Sequence, residues 1–91
     1  MTVRVQIPPV LRNAAGGRRA VAAEGATLQD VLLDLARQYP SLALHLFDEQ
    51  GAVRRHILCL HASDAIRPRD FAARALKHGD EVVITNALAG G

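Results

Sequence analysis

The sequence predicts an α+β domain, in which a mixed sheet of four to five strands packs one face against a main helix and a short second helix. Two patterns lead to this fold class. Apolar and polar residues alternate near both ends of the chain, as in strands that bury one face. Between these runs, apolar residues recur at helical spacing. The first and last strands therefore fit side by side at the centre of the sheet.

The composition limits the domain to one small core and disfavours several functions. Hydrophobic residues make up 49% of the 91 residues and charged residues 22%, which is typical of a soluble globular chain. Aromatic residues are only 3% and the net charge is +2, so a basic stripe with stacking aromatics is not supported and no nucleic-acid partner is expected. No stretch reaches the roughly 20 apolar residues of a membrane span, and no signal peptide pattern opens the chain. We expect a cytoplasmic protein with no membrane partner.

The first elements are a hairpin. Residues 3–7 alternate as a strand with one dry face, and the Pro-Pro pair that follows ends it. Asn13–Gly17 predicts a turn, and a second strand is expected over Arg18–Ala23.

The main helix is the clearest element. Thr27 is placed to cap it and Pro40 to end it. A second short helix is expected over Ser41–Phe47. The apolar positions of the main helix recur on one face, at Leu28, Val31, Leu32, Leu35 and Tyr39.

Strands return in the last third of the chain. We expect a third strand at His56–His61, a short edge strand at Ala65–Arg67 and a last strand at Glu81–Thr85. The domain then covers residues 1–85, and residues 86–91 form a flexible tail that ends in Gly-Gly.

The third strand is apolar on both faces. We assign Ile57 and Cys59 to the core, which leaves Leu58 and Leu60 on the outer face, with Val83 beside them on the last strand. Exposed aliphatic residues next to the tail predict a partner-docking patch. The alternative is ordinary strand propensity or a register error of one residue.

In this order the elements form the β-grasp arrangement of ubiquitin-like proteins. The stretches VRVQIPPVLR, GATLQDVLLDLARQYPSL and HGDEVVITNALAGG resemble the ThiS/MoaD family of sulfur-carrier proteins, and most closely its CysO-like branch. Two positions depart from the family pattern. Asn86 stands where the family often has Pro, and Ala62 and Ser63 stand where Asn with Asp or Gly commonly makes the turn.

The residue types of the tail predict that it can enter a narrow site. Six residues beyond Thr85 extend about 20 Å, at about 3.3 Å each. Gly90 and Gly91 lack a Cβ atom, so their backbone passes a constriction closed to other residues. The partner-binding part of the tail comprises the slim Ala87 and Ala89, together with Leu88 as a bulky anchor.

The resemblance implies a reaction at the carboxylate of Gly91, the last residue of the sequence. An E1-like adenylyltransferase of the ThiF/MoeB type would adenylate it, and a sulfur donor would convert it to a thiocarboxylate. A biosynthetic enzyme would then accept the sulfur, for cysteine or another metabolite. The chain has no phosphate-binding loop or acidic metal cluster of its own, so ATP and Mg²⁺ are expected at the activating enzyme and no cofactor on this chain. It would be a co-substrate, not an enzyme.

Other readings stay open. A ubiquitin-like modifier would join the same carboxylate to a lysine of a target, and a small subunit of molybdopterin synthase would be a stable part of an enzyme. A metal site is not expected, since His56 and His61 point to opposite faces of a strand and two ligands on one face make no zinc site.

Overall fold

The computed structural model describes residues 1–86, and it contains a five-stranded mixed sheet in the order β2-β1-β5-β3-β4. β1 and β5 are parallel and central, and the other neighbours are antiparallel. The predicted β-grasp arrangement is confirmed. The helices and strands are β1 (Thr2–Gln6), β2 (Ala20–Glu24), α1 (Leu28–Gln38), α2 (Pro40–Leu46), β3 (Ile57–His61), β4 (Asp64–Ile66) and β5 (Glu81–Asn86).

The core lies between one face of the sheet and the two helices. The predicted helical stripe is buried, except that Tyr39 is only partly covered. Phe71 and Leu76, in the connection between β4 and β5, close the core at the side. Apart from Phe71 the core is aliphatic, as expected from the low aromatic content, and it contains no buried charged residue among those described.

The limits of α1 follow from three residues. The Thr27 hydroxyl accepts a hydrogen bond from the backbone N–H of Asp30 at 3.2 Å and caps the helix. Gly25 lets the chain turn tightly before it, because a Cβ there would lie 2.7 Å from the backbone nitrogen of Val31. Pro40 stops α1 and becomes the first residue of α2, a position that needs no N–H donor.

Among residues 1–86, no helix is long and apolar enough to cross a membrane.

Two segments differ from the prediction. Pro9–Ala15 is a 3₁₀ helix, which ends at Gly16 in the left-handed conformation, with φ 66°. The chain reverses its direction only after this helix, so β2 begins at Ala20 and not at Arg18. A second 3₁₀ helix lies at Pro68–Ala73, where the sequence predicted neither a helix nor a strand. In both, a proline whose φ already suits a helix opens the turn.

Three strand limits also differ. β5 continues past the expected Thr85, because Asn86 pairs with Ile57, and β3 begins at Ile57 instead of His56. Asn86, which was assigned to the tail, therefore belongs to β5. β4 is shifted one residue toward the N-terminus, since Asp64 pairs with His61 across a two-residue turn.

That turn has an unusual sequence for its geometry. Ala62 and Ser63 both have positive φ, 50° and 72°, as in the hairpin turns that favour Asn and Gly. This is one of the two positions at which the chain departs from the family pattern. The hairpin keeps its two-residue turn at some local strain.

Three carboxylates stabilise the fold through hydrogen bonds to their charged forms. The backbone N–H of Glu24, and next the Arg37 guanidinium, hold the pKa of Asp34 below its usual value. The backbone N–H of Lys77, and next His61, do the same for the pKa of Asp80. The Thr2 hydroxyl lowers the pKa of Glu24.

These shifts predict a loss of stability in acid. A pKa that is lower in the folded state favours folding above the unfolded value of about 3.9 for Asp, and this gain disappears as the pH falls through the folded value. We expect the free energy of unfolding to be nearly constant from pH 7 to about 5, and to fall below pH 4. Asp34→Asn should weaken the protein at pH 7 and flatten the acid decline. Urea denaturation over this pH range tests it, and parallel curves for variant and unaltered protein would contradict it.

Candidate functional site

The described chain ends at the centre of the sheet. Asn86, its last described residue, pairs with Ile57 at the end of the sheet where β1 also ends. At Asn86 the strand pairs with β3 only, because its pairing with β1 ends at Val83. The predicted site residues Ala87, Leu88, Ala89, Gly90 and Gly91 lie outside the described residues, so their roles remain predictions.

The outer face of the sheet carries the predicted aliphatic patch. Ile57 and Cys59 are buried, while Leu60 is 41% exposed and Leu58 is partly exposed, as expected. Val83 lies directly opposite Leu60 on β5. Residues opposed in this way have Cβ atoms about 5 Å apart, so the three side chains form one continuous surface. We call Leu58, Leu60 and Val83 the apolar sheet face.

A polar half adjoins this face on β1. Glu81 lies next to Arg4 in the parallel register, with an Arg4 Nε to Glu81 Oε2 distance of 3.5 Å. The same oxygen accepts a hydrogen bond from the Gln6 amide at 3.0 Å. The outer face thus combines an aliphatic half with a polar half, and no helix among the described residues covers it. Its aliphatic half is the part suited to bury against a partner.

A small cavity opens beside the last residues of β5. It has a volume of about 120 Å³, and Thr85, Ile57, Val10, His45 and His56 contribute to its walls. Sequence reasoning did not bring the two histidines together, because they come from α2 and from the loop before β3. Val10, at 72% exposure, is an exposed apolar side chain at this end of the molecule.

The only cysteine is not arranged for sulfur chemistry. Cys59 is fully buried, and burial raises the pKa of its thiol to about 12. At neutral pH it stays protonated, and the thiol form is a poor nucleophile. The predicted position of Cys59 in the core is confirmed.

A hydrogen-bonded cluster secures the other end of β5. Arg74 Nε donates to His61 Nδ1 at 2.9 Å, and His61 Nε2 lies 2.9 Å from Asp80 Oδ2. Because Arg74 can only donate, Nδ1 must accept, and the ring proton sits on Nε2 toward Asp80. Asp80 Oδ2 also accepts a hydrogen bond from the backbone N–H of Lys77, a contact typical of turn residues. The cluster fixes the turn from which β5 starts.

Metal-ligating side chains do not converge in the part of the chain that the structure describes. No group of three or more His, Cys, Asp or Glu residues there could hold a metal ion. His61, a candidate ligand on β3, already uses both ring nitrogens in contacts with Arg74 and Asp80.

Known proteins match the chain over its whole length. A sequence model of the ThiS family matches residues 5–91, so the match reaches the last residue. The sulfur carrier protein CysO of Mycobacterium tuberculosis is 36% identical over 93 aligned residues, which cover 100% of both chains. CysO of Mycobacterium bovis matches to the same extent.

Solved structures share the fold. SAMP1 from Haloferax volcanii superposes with a TM-score of 0.82 at 26% identity, over 100% of both chains. Mycobacterium tuberculosis CysO gives 0.78 at 31% identity, over 93% of this chain and 98% of that one. The BexX/CysO complex of Amycolatopsis orientalis gives 0.79 at 30% identity, over 98% and 99%. Proteins of this fold therefore include one solved in complex with a partner.

Proposed function

The chain belongs to the ThiS family, and from this membership we propose that it is a sulfur carrier whose Gly91 carboxylate is the group that carries sulfur. The observation that supports the proposal most is the full-length match to CysO, which includes the terminal Gly-Gly. The chain serves as a co-substrate, and an E1-like enzyme of the ThiF/MoeB type supplies ATP and Mg²⁺.

The proposed reaction has two steps. A carboxylate oxygen of Gly91 attacks the α-phosphate of ATP and expels pyrophosphate, which gives an acyl-adenylate. Hydrosulfide from the sulfur donor then attacks the carbonyl carbon, a C–S bond forms, and AMP leaves with the former carboxylate oxygen. Sulfur is the better nucleophile, so the thiocarboxylate is ready for transfer to a biosynthetic acceptor, in cysteine synthesis or the synthesis of another sulfur-containing metabolite.

The described residues support a carrier role in three ways. β5, the strand that leads to the tail, lies inside the sheet: it pairs with β1 over Glu81–Val83 and with β3 over Val83–Asn86. The apolar sheet face lies on the same strands and offers a docking surface, so that the body binds while the tail reaches a distant active site. The only thiol is buried, which leaves the carboxylate as the reactive group.

Mass spectrometry of the intact protein tests the proposal. After incubation with its activating enzyme, Mg-ATP and sulfide, the protein should gain the mass difference between sulfur and oxygen, and fragmentation should place the change on Gly91. Omission of ATP is the control and should leave the mass unchanged. A modification on any other residue would refute the proposal.

A second candidate is a protein modifier, since one close structural neighbour is a small archaeal modifier protein. The fate of the activated tail separates the two. A carrier yields the thiocarboxylate, whereas a modifier yields a larger conjugate that is stable to thiol reagents and linked through a lysine of the target. The activated chain is incubated in a cell extract, and the products are then searched for the thiocarboxylate and for the larger conjugate, which distinguishes the two functions.

The apolar sheet face supplies a direct prediction. Leu60→Asp should leave the fold intact, because Leu60 is 41% exposed, but should raise the KM for the activating enzyme about tenfold or more by placing a charge in a buried contact. Leu33→Asp is the matched control, since Leu33 is 49% exposed on the far side of α1. Equal kinetics for the two variants would show that the sheet face does not dock.

A further inference from the structure

Arginines are concentrated at the end of the domain from which the tail leaves. The register places Gln6, Ala20, Ile57 and Asn86 at this end of the sheet. Five arginines lie in the segments that immediately follow or precede these residues. We call them the tail-end arginines: Arg12, Arg18, Arg19, Arg54 and Arg55.

These arginines are not neutralised within the described part of the chain. The six ion pairs among residues 1–86 include none of them. Two acidic residues, Asp48 and Glu49, come close in the loop after α2 and border a shallow hollow with Arg54. However, Asp48 Oδ1 is used within its own loop, where it accepts from the backbone N–H groups of Gln50 and Ala52. A net positive charge therefore remains at this end.

The other end of the sheet is different. There, Arg4 pairs with Glu81, Arg74 with Asp64 at 2.8 Å, and His61 contacts Asp80. Charges are therefore paired around the start of β5, whereas the arginines around its end form no ion pair within residues 1–86, although the net charge of the whole sequence is only +2.

Two of the tail-end arginines are held in place by the backbone. Arg12 Nε donates to the carbonyl of Ile7 and Arg54 Nε to the carbonyl of Leu44, both at 3.1 Å. Both side chains are half-buried. A guanidinium anchored through Nε still offers its terminal nitrogens, and less side-chain entropy is lost when it binds a carboxylate.

We propose that the tail-end arginines recognise a carboxylate-rich rim around the site where a partner protein receives the tail. This rests on the proposed function. Five residues beyond Asn86 can span at most about 17 Å, at about 3.3 Å each, so the surface around the entry point must approach the end of the domain that carries these arginines. Charges at such a rim speed and orient association, and their effect weakens with salt.

The aromatic residues favour a protein over a nucleic acid as the partner. Single strands bind through bases stacked on exposed aromatic side chains. Here Phe71 is fully buried, and Tyr39 and Phe47 pack against the core. The basic end therefore offers charge without a stacking surface, which suits carboxylates.

Steady-state adenylation kinetics with the activating enzyme test the proposal. In one variant Arg18→Gln is combined with Arg55→Gln, two exposed side chains that make no hydrogen bond among the described residues. In a second, Arg12→Gln is combined with Arg54→Gln. We expect about a tenfold rise in KM for each at low salt, with kcat nearly unchanged, and a smaller difference at high salt. The control combines Arg69→Gln with Lys77→Gln, which removes the same charge between β4 and β5, and should match the unaltered protein.

The outcomes separate this inference from the proposed function. If the unaltered chain is adenylated and the variants behave like the control, the tail-end arginines have no such role, although the carrier function stands. If the unaltered chain is not adenylated at all, both are refuted. Retention of labelled RNA or duplex DNA by the unaltered chain, lost in the first variant, would overturn the assignment to a protein partner.

Discussion

Deletion of Gly91 is expected to abolish sulfur loading. The new terminal carboxylate, on Gly90, would stop one residue, or about 3.3 Å, short of the α-phosphate of ATP, and in-line attack tolerates no such gap. Addition of one residue after Gly91 should abolish loading equally, because the Gly91 carbonyl would then belong to an amide. Intact-mass measurement after incubation with activating enzyme, Mg-ATP and sulfide reads out both variants.

Two controls show that the loss is chemical. The shortened chain keeps the apolar sheet face, so it should still compete with the unaltered chain for the activating enzyme. Cys59→Ala should load normally, because the buried thiol has no part in the reaction. A persulfide on Cys59 in the unaltered protein, with an unmodified tail, would be incompatible with the proposed function.

Leu35→Ala should lower the free energy of unfolding by about 2–5 kcal/mol. Leu35 has no exposed surface, and it lies at the centre of the buried stripe of α1, where the helix packs against β2 and α2. Truncation leaves a cavity that the surrounding sheet cannot close. A small domain has only about 5–15 kcal/mol of stability, so the midpoint of urea denaturation should fall markedly.

The neighbouring residue provides the matched control. Leu33 is 49% exposed on the same helix, so Leu33→Ala removes the same atoms from the surface and should change the stability by less than about 0.5 kcal/mol. Leu32→Ala, with no exposed surface, should resemble Leu35→Ala. Similar midpoints for Leu33→Ala and Leu35→Ala would contradict the packing described here.

Local signals made most of the fold predictable. The cap at Thr27, the stop at Pro40 and the regular apolar spacing between them define α1 without reference to the rest of the chain. Alternation of apolar and polar residues likewise identified β1. β3 is apolar on both faces, and the assignment of Ile57 and Cys59 to the core, with Leu58 and Leu60 on the outer face, is confirmed. Each of these features is decided within a few residues.

Features that depend on distant contacts were not predictable. The 3₁₀ helix at Pro9–Ala15 is too short to show a period, and α2 packs against it. Asn86 belongs to β5 because it pairs with Ile57, which is distant in the sequence. The local sequence does not show this pairing, so Asn86 was assigned to the tail. The cavity that joins His45 and His56, and the contacts of His61 with Arg74 and Asp80, arise only when separate elements meet.

The parallel pairing of β1 with β5 has a consequence for how the chain folds. The two central strands are the first and last elements of the described chain, so the sheet cannot be completed until Glu81 and the residues after it have been synthesised. Before that, only the β1–β2 and β3–β4 hairpins can form, each with an unpaired edge open to aggregation. Closure over so long a loop makes folding slow relative to a helical bundle. A chain interrupted before β5 would therefore lack both its folded core and the carboxylate that we propose carries sulfur.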